Sequence, residues 1–131
     1  MSDRWLVDTS VLIDHLRGVS EAQQLLTAGV REAVELWSSV LVRTEVLAGM
    51  RGTEKRSTLQ LLGIFRWLDV TAELADRAGE LARTYLKSHR GIDTVDYLIA
   101  ASAIQLNAEL KTANIRHFPM FAGLKAAYRV R

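Results

Sequence analysis

The sequence predicts a three-layer α/β/α protein, in which helices cover both faces of a short central parallel sheet of four to five strands. Two observations lead to this fold class. Short runs of β-favouring apolar residues alternate along the chain with longer segments of helical periodicity. Glycines and helix-capping residues separate these segments. Strands that alternate with helices favour parallel pairing, because a parallel connection needs a crossover.

The first strand is predicted at residues 5–7, which read Trp-Leu-Val. Thr9 and Ser10 are typical helix-start residues, and a helix is expected over residues 9–17, up to Gly18. Asp8 therefore lies at the carboxyl end of the first strand. Open parallel sheets bind ligands outside this edge. Asp8 could equally be an ordinary helix cap.

The remaining strands and helices are predicted from the same signals of apolar runs, helical periodicity and capping residues. Further strands are expected at residues 34–39, 65–70, 109–112 and 128–130. Further helices are expected at residues 20–28, 40–50, 71–88 and 93–106, with another that begins at residue 53. Ser20 and Gln23 form a predicted capping box for the second helix, which should end near Gly29. Thr53 is the predicted cap of the fourth helix, and Gly91 ends the fifth.

The length, charge and cysteine content of the chain exclude several classes of protein. The chain has 131 residues, of which 49% are hydrophobic and 24% charged, so one globular domain over residues 1–131 is expected. Its 17 basic and 15 acidic residues give a net charge of +2, which permits a nucleic-acid partner without requiring one. The absence of cysteine excludes disulfides and thiolate metal sites. No apolar run is long enough to span a bilayer, and we expect a cytoplasmic protein with no membrane partner.

Acidic residues occupy places where apolar residues are expected. Glu45 lies on a stripe of the third helix that should face the core, and Asp96 lies on a similar stripe of the sixth. Asp93 precedes Asp96 by one turn, and Asn114 follows the fourth strand. Because helix N-termini and strand C-termini share one edge of such a sheet, we expect these side chains to converge with Asp8.

The electrostatics of such a cluster indicate a cation. Two carboxylates about 4 Å apart repel each other by about 4 kcal/mol at an effective dielectric constant near 20. Carboxylate and amide oxygens select a hard divalent ion, Mg²⁺ or Mn²⁺. Each acid also has an ordinary interpretation. Glu45 could pair with Arg43 or Arg51, and Asp93 and Asp96 could be capping residues.

Four segments, taken in order, resemble a known family. They are Leu6–Val7–Asp8–Thr9–Ser10, Arg43–Thr44–Glu45, Asp96–Tyr97–Leu98–Ile99–Ala100–Ala101 and Lys111–Thr112–Ala113–Asn114–Ile115–Arg116–His117–Phe118. This chain resembles a PIN-domain ribonuclease, specifically a VapC-type toxin of a bacterial type II toxin–antitoxin system. The likeness runs over essentially the whole chain.

The resemblance implies a PIN-like fold and a divalent-metal-dependent endoribonuclease. It assigns the metal site to Asp8, Glu45 and Asp96, with Asn114 in the place of a fourth acid. Asp93 is a candidate for the missing charge. The resemblance also implies an RNA substrate, a VapB-type antitoxin and a homodimer. Thr9, Ser10 and Thr112 would orient the carboxylates.

Other polar residues are weaker candidates for a role in the site. His15, His89 and His117 are candidate acid–base groups only by residue type, and the resemblance makes His117 part of a structural turn. Six basic residues near the predicted rim could hold phosphates: Arg43, Arg51, Lys55, Arg56, Lys111 and Arg116.

Three alternatives remain at this point. An aspartyl phosphotransferase would use Asp8 as a nucleophile, but its pattern needs a second Asp where this chain has Ser10. A receiver-like binding module would need paired acids before the phosphoacceptor strand, which are lacking here. A degenerate PIN domain would bind RNA or protein without cleavage, and Asn114 leaves that possibility open.

Overall fold

The computed structural model describes residues 3–129 of the chain. Within this range, four strands form one sheet in the order β3-β2-β1-β4, and every neighbouring pair is parallel. The strands are β1 (Arg4–Val7), β2 (Glu35–Ser39), β3 (Arg66–Leu68) and β4 (Glu109–Lys111). Leu6 of β1 pairs in register with Trp37 on one side and Leu110 on the other.

Helices fill the connections between the strands. They are α1 (Thr9–Leu16), α2 (Ser20–Arg31), α3 (Val40–Ala48), α4 (Lys55–Leu62), α5 (Ala72–Tyr85) and α6 (Thr94–Leu106). Single 3₁₀ turns occur at Gly52–Glu54 and Ile115–His117. Helix α1 packs against α2, α3 and α4, while α5 packs against α6, so the helices form two groups. The predicted α/β fold class with a parallel sheet is confirmed.

The centre of the sheet is covered on both faces. Consecutive strand residues point to opposite faces, yet Leu6 and Val7 are both completely buried. Ser38 and Ser39 of β2 are likewise fully buried. The main core lies around β1, and a smaller cluster between α5 and α6 includes Leu74. Burial on both faces explains why β1 shows a continuous apolar run instead of alternation.

The second helix differs from its predicted form. It continues through Gly29 to Arg31, and Val19 precedes it without a side-chain cap, so the predicted Ser20–Gln23 capping box is wrong. Ser20 instead donates a hydrogen bond to Glu21. Gly29 serves close packing, because a Cβ there would lie 2.8 Å from Cζ3 of the Trp5 ring. The helix extends two residues beyond Gly29, near which its end was predicted.

Two other expectations differ from the structure. Thr53 does not cap the fourth helix, since it lies within the 3₁₀ turn that precedes α4. Tyr128 and Arg129 are not in a strand, and Val130, the last residue of that predicted strand, lies outside the described residues. Within residues 3–129, no helix is both long and apolar enough to cross a membrane.

The strand order locates the ligand-binding edge. The chain passes from β1 to β2 and β3 on one side, then places β4 on the opposite side of β1. This reversal between β1 and β4 is a topological switch point, the place where open α/β sheets bind ligands. Asp8 follows β1 directly, and its backbone N–H donates to the Lys111 carbonyl at 3.1 Å, which continues the β1–β4 pairing to this edge.

Candidate active site

An acidic pocket of about 320 Å³ opens beside the carboxyl ends of β1 and β4. Five carboxylate residues line it: Asp8, Asp14, Glu45, Asp93 and Asp96. The remaining lining residues are Thr9, Ser10, Ile13, Val95, Ile99, Asn114 and His117. Among the described residues, no lysine or arginine is part of this lining. All five residues that the sequence assigned to the site, including Asn114, therefore lie along one pocket.

Asp8 is the most deeply placed of these acids. Asp8 is 7% exposed, and its side chain caps the N-terminus of α1. Oδ1 accepts hydrogen bonds from the Ser10 backbone N–H at 3.1 Å and from Ser10 Oγ at 2.6 Å. Oδ2 accepts a hydrogen bond from Thr112 Oγ1 at 2.6 Å. Asp8 is thus both a helix cap and a pocket residue, so the two interpretations of its position are compatible.

The hydroxyls of Ser10 and Thr112 also bind the loop after β4. Ser10 Oγ accepts a hydrogen bond from the Ala113 backbone N–H at 3.1 Å. Thr112 Oγ1 accepts one from the Asn114 backbone N–H at 2.9 Å. Each hydroxyl therefore uses its proton for Asp8 and a lone pair for the loop. This arrangement fixes the direction of the Asp8 carboxylate and the position of Asn114 together.

Burial raises the pKa of the Asp8 carboxyl above its usual value of 3.8, although the hydrogen bonds from Ser10, Thr112 and the Val11 backbone oppose the increase. Among residues 3–129, no lysine, arginine or histidine forms an ion pair with Asp8. A buried carboxylate without a cationic partner is costly in its charged form. The described part of the chain therefore supplies hydrogen-bond donors to Asp8 but no compensating positive charge.

Asp96 and Asp93 form a capping box at the start of α6. Asp93 Oδ1 accepts from the Asp96 backbone N–H at 3.0 Å, and Asp96 Oδ2 accepts from the Asp93 backbone N–H at 3.3 Å. His117 Nδ1 lies 3.1 Å from the same Oδ2 of Asp96. Burial raises the pKa of Asp96 and the Asp93 carboxylate adds to this effect, while the Asp93 backbone N–H and His117 lower it.

Glu45 reaches the pocket by a different route from the one predicted. The buried residues of α3 are Val42 and Val46, and Glu45 itself is exposed, so its predicted position on the core-facing stripe is wrong. Its Oε1 accepts a hydrogen bond from Thr9 Oγ1 at 2.7 Å. Thr9 follows Asp8, and this contact holds the exposed glutamate at the edge of the pocket.

The acids do not form a closed metal-ligand cluster. Within the part of the chain that the structure describes, no three Asp, Glu or His side chains are gathered as a metal site. Asp8, Glu45 and Asp96 line one pocket, but they are not gathered as closely as predicted. The donor chemistry still fits a hard divalent cation, because the lining offers carboxylate oxygens and the buried Asp8 carboxyl has no cationic partner among the described residues.

Two titratable residues of the pocket lining were not assigned to the metal site. Asp14 lines the pocket four residues after Ser10, on the same face of α1. This helical spacing is a signal that could have revealed Asp14. The sequence placed His117 in a structural turn, but its ring contacts Asp96 from that turn. No periodicity in residues 112–118 indicates where the imidazole points.

The basic residues predicted near the rim do not line the pocket. The Arg43 guanidinium lies 5.1 Å from the centroid of the Trp67 ring. Lys111 Nζ lies 4.6 Å from the centroid of Trp5 and 2.8 Å from Glu109 Oε1. Arg116 is exposed in the turn before His117. The other three are Arg51, Lys55 and Arg56, around the start of α4.

The fold and the pocket define an α/β protein with a carboxylate-rich site at the switch point of a parallel sheet. The PIN domain family model matches residues 5–123. Ribonuclease VapC19 of Mycobacterium tuberculosis is 47% identical over 123 residues, which cover 94% of this chain and 98% of that protein. Ribonuclease VapC10 of the same organism is 43% identical over 125 residues, or 95% and 93% of the two chains.

A solved toxin–antitoxin complex from Klebsiella pneumoniae contains a chain of the same fold. The TM-score is 0.77 at 26% identity, with 95% of this chain and 98% of that chain covered. The chain belongs to the PIN domain family, and its relatives within that family are VapC ribonucleases. The resemblance predicted from the four sequence segments is confirmed.

Proposed function

We propose that the protein is a divalent-metal-dependent endoribonuclease that acts in the cytoplasm as the toxin of a toxin–antitoxin pair. One observation carries this proposal: the acidic pocket, lined by five carboxylates and by no described lysine or arginine, lies at the switch point between β1 and β4. The ribonuclease names of relatives that are 43% and 47% identical support RNA as the substrate.

Asp8 and Asp96 are the proposed principal ligands of Mg²⁺ or Mn²⁺, with Glu45 and Asp93 as further acidic groups. An all-oxygen set of this kind favours these hard ions. A bound cation would neutralise charge on the scissile phosphate and lower the pKa of the attacking water. Ser10 and Thr112 orient Asp8, while the Asp93 backbone and His117 orient Asp96.

The other pocket residues would position the RNA and the water. Glu45 is exposed at the edge of the pocket, where it would hold the cation or orient the attacking water. Asn114 is exposed at the end of β4, and its amide would hydrogen-bond a water molecule or a phosphate oxygen. In the hydrolysis, an oxygen–phosphorus bond forms from water and the bond to the leaving ribose oxygen breaks. Rate enhancement would come from positioning and charge stabilisation.

The proposed protein partners are a VapB-type antitoxin and a second copy of this chain. The similar chain from Klebsiella pneumoniae belongs to a toxin–antitoxin complex, which supports the first of these. An arginine of the antitoxin could enter the acidic pocket, where it would meet five carboxylates and, among the described residues, no lysine or arginine of the pocket lining.

RNA cleavage in the presence of Mg²⁺ tests the proposal. Purified protein should cut bulk cellular RNA at defined positions, which end mapping would reveal, and a chelator should stop the reaction. Asp8→Asn and Asp96→Asn should each abolish cleavage. Asp76→Asn, a change of the same chemistry at an exposed site on α5, should not. Mg²⁺ binding without any cleavage would favour the degenerate, non-catalytic alternative.

A further inference from the structure

Residues 127–128 contact one residue that lines the acidic pocket and one residue that binds Asp8 from behind it. The backbone N–H of Ala127 donates to the Thr112 carbonyl at 2.9 Å. The hydroxyl of Tyr128 donates to Oδ2 of Asp14 at 2.7 Å, across 114 positions of sequence. Asp14 lines the pocket, and Thr112 holds Asp8. Adjacent residues of one irregular segment therefore bind α1 and the end of β4.

Thr112 connects this segment to the site. Its carbonyl is bound by Ala127, while its hydroxyl donates to Asp8 and accepts from the Asn114 backbone. Any movement of the 127–128 segment thus acts on the residue that orients Asp8 and places Asn114. The Tyr128 ring also packs against the main core, which restricts the position of its hydroxyl.

We propose that Tyr128 and Asp14 are positioning residues of the active site. Their hydrogen bond fixes residues 127–128 against α1, and this segment holds Thr112, which in turn aligns Asp8 and Asn114. Asp14 acts here as a hydrogen-bond acceptor for Tyr128, not as a fifth negative charge for a cation. The inference rests on the proposed ribonuclease function for its kinetic consequences, but the physical linkage stands on the contacts alone.

Tyr128→Phe removes only the hydroxyl and keeps the ring. It should lower kcat by about tenfold, the low end of the effect of losing a group that orients a metal ligand, with KM changed less than about twofold. Asp14→Ala should have a similar effect, and the double variant should be no worse than either single one. Asp14→Asn keeps an acceptor oxygen and should retain most of the rate that Asp14→Ala loses. The substrate is an oligonucleotide that carries the mapped cleavage site.

Amide hydrogen exchange gives a readout independent of activity. In Tyr128→Phe, exchange at the backbone N–H groups of Ala127, Ala113 and Asn114 should accelerate, while amides of α2 should keep the wild-type rate. Tyr85→Phe on α5 is the matched control and should change neither readout, since among the described residues its hydroxyl has no hydrogen bond in the structure. Faster exchange throughout the chain would indicate general destabilisation and would overturn the inference.

The outcomes separate the two proposals. If the wild-type protein cleaves no RNA, the proposed function is overturned. The hydrogen-exchange rates alone then test whether the Tyr128–Asp14 hydrogen bond holds Thr112 and Asn114 in place. Wild-type cleavage with an unchanged rate in Tyr128→Phe overturns the inference and leaves the function intact. Equal loss in Asp14→Asn and Asp14→Ala would show that the charge of Asp14 matters, which also overturns it.

Discussion

Thr112 Oγ1 lies 2.6 Å from Oδ2 of Asp8, although the two residues are 104 positions apart in sequence. Thr112 is fully buried immediately after β4, and Asp8 lies immediately after β1. Parallel pairing of Val7 with Lys111 brings them together. The contact shows that the sheet topology orients one oxygen of the Asp8 carboxylate, while the local helix cap at Ser10 orients the other.

Thr112→Val keeps the size of this side chain but removes its hydroxyl. Asp8 then loses one donor and the Asn114 backbone N–H loses its acceptor, so RNA cleavage should fall by about 10- to 100-fold. Cleavage kinetics would measure this change. The matched control is Thr84→Val on the exposed side of α5, where the hydroxyl bonds only within its own helix. Equal rates for wild type and Thr112→Val would contradict the orienting role.

Asp8→Asn should reduce the pH dependence of stability. Burial raises the pKa of Asp8 in the folded protein above 3.8, so its charged form is disfavoured by folding. Its contribution to the free energy of unfolding is therefore present at acidic pH and is lost as the pH rises from about 4 through the raised pKa. A difference of one pH unit between the pKa values of the folded and unfolded chains corresponds to about 1.4 kcal/mol.

Urea unfolding in chelator at a series of pH values checks this prediction. The free energy of unfolding of the wild type, relative to that of Asp8→Asn, should decrease as the pH rises. At neutral pH Asp8→Asn should be the more stable protein although it should also be inactive, a common relation at functional sites. Parallel curves for the two proteins would show that burial of Asp8 carries no such cost.

His117→Ala tests a pocket residue that sequence reasoning assigned to a turn. Its ring nitrogen lies 3.1 Å from Asp96 Oδ2, and its loss should free this carboxylate to move. RNA cleavage should decrease by about 10- to 100-fold, less than in Asp96→Asn. His89→Ala is the control, because His89 is exposed and its ring contacts Ser88 and Tyr85. Similar rates in the two histidine variants would make His117 a purely structural residue.

Gly29→Ala and Gly79→Ala should change stability in opposite directions. A Cβ at Gly29 would lie 2.8 Å from the Trp5 ring, and such overpacking typically costs about 1–3 kcal/mol. A Cβ at Gly79 on α5 has no neighbour within 4 Å, and alanine should stabilise that helix by about 0.5–1 kcal/mol. Chemical denaturation of both variants measures the two changes. A free energy of unfolding higher for Gly29→Ala than for wild type would show that the Trp5 ring can move aside without loss of stability.

The elements that determine the site could largely be predicted from local sequence. Asp8 and Asp93 occupy helix starts with a clear signal, and both cap their helices in the structure. The alternation of strands with helices predicted a parallel sheet. Asp96 and Asn114 were therefore expected at the same edge of that sheet as Asp8. Glu45 was assigned to the right pocket for the wrong reason, because the apolar stripe of α3 is centred on Val42 and Val46. That residues 1–131 form one domain stays a prediction.

The parts that escaped sequence reasoning are non-local. Tyr128 reaches Asp14 from an irregular segment, and no periodicity there indicates which side chain points inward. His117 contacts Asp96 from a single 3₁₀ turn that is followed by the buried Phe118, and a turn of this kind has no periodicity that indicates the direction of its side chains. Gly29 has the local pattern of a helix end, whereas its lack of a side chain accommodates Trp5, 24 positions earlier in the chain.

The central claim is that Asp8 and Asp96 hold a divalent cation that the folded chain needs for activity. Its most direct test is the free energy of unfolding of wild type, Asp8→Asn and Asp76→Asn, each with chelator and with a large excess of Mg²⁺. Wild type and Asp76→Asn should gain stability with Mg²⁺, by about 2.7 kcal/mol at 100 times the dissociation constant, and Asp8→Asn should gain little. An equal gain in all three proteins, or none in the wild type, would contradict the account.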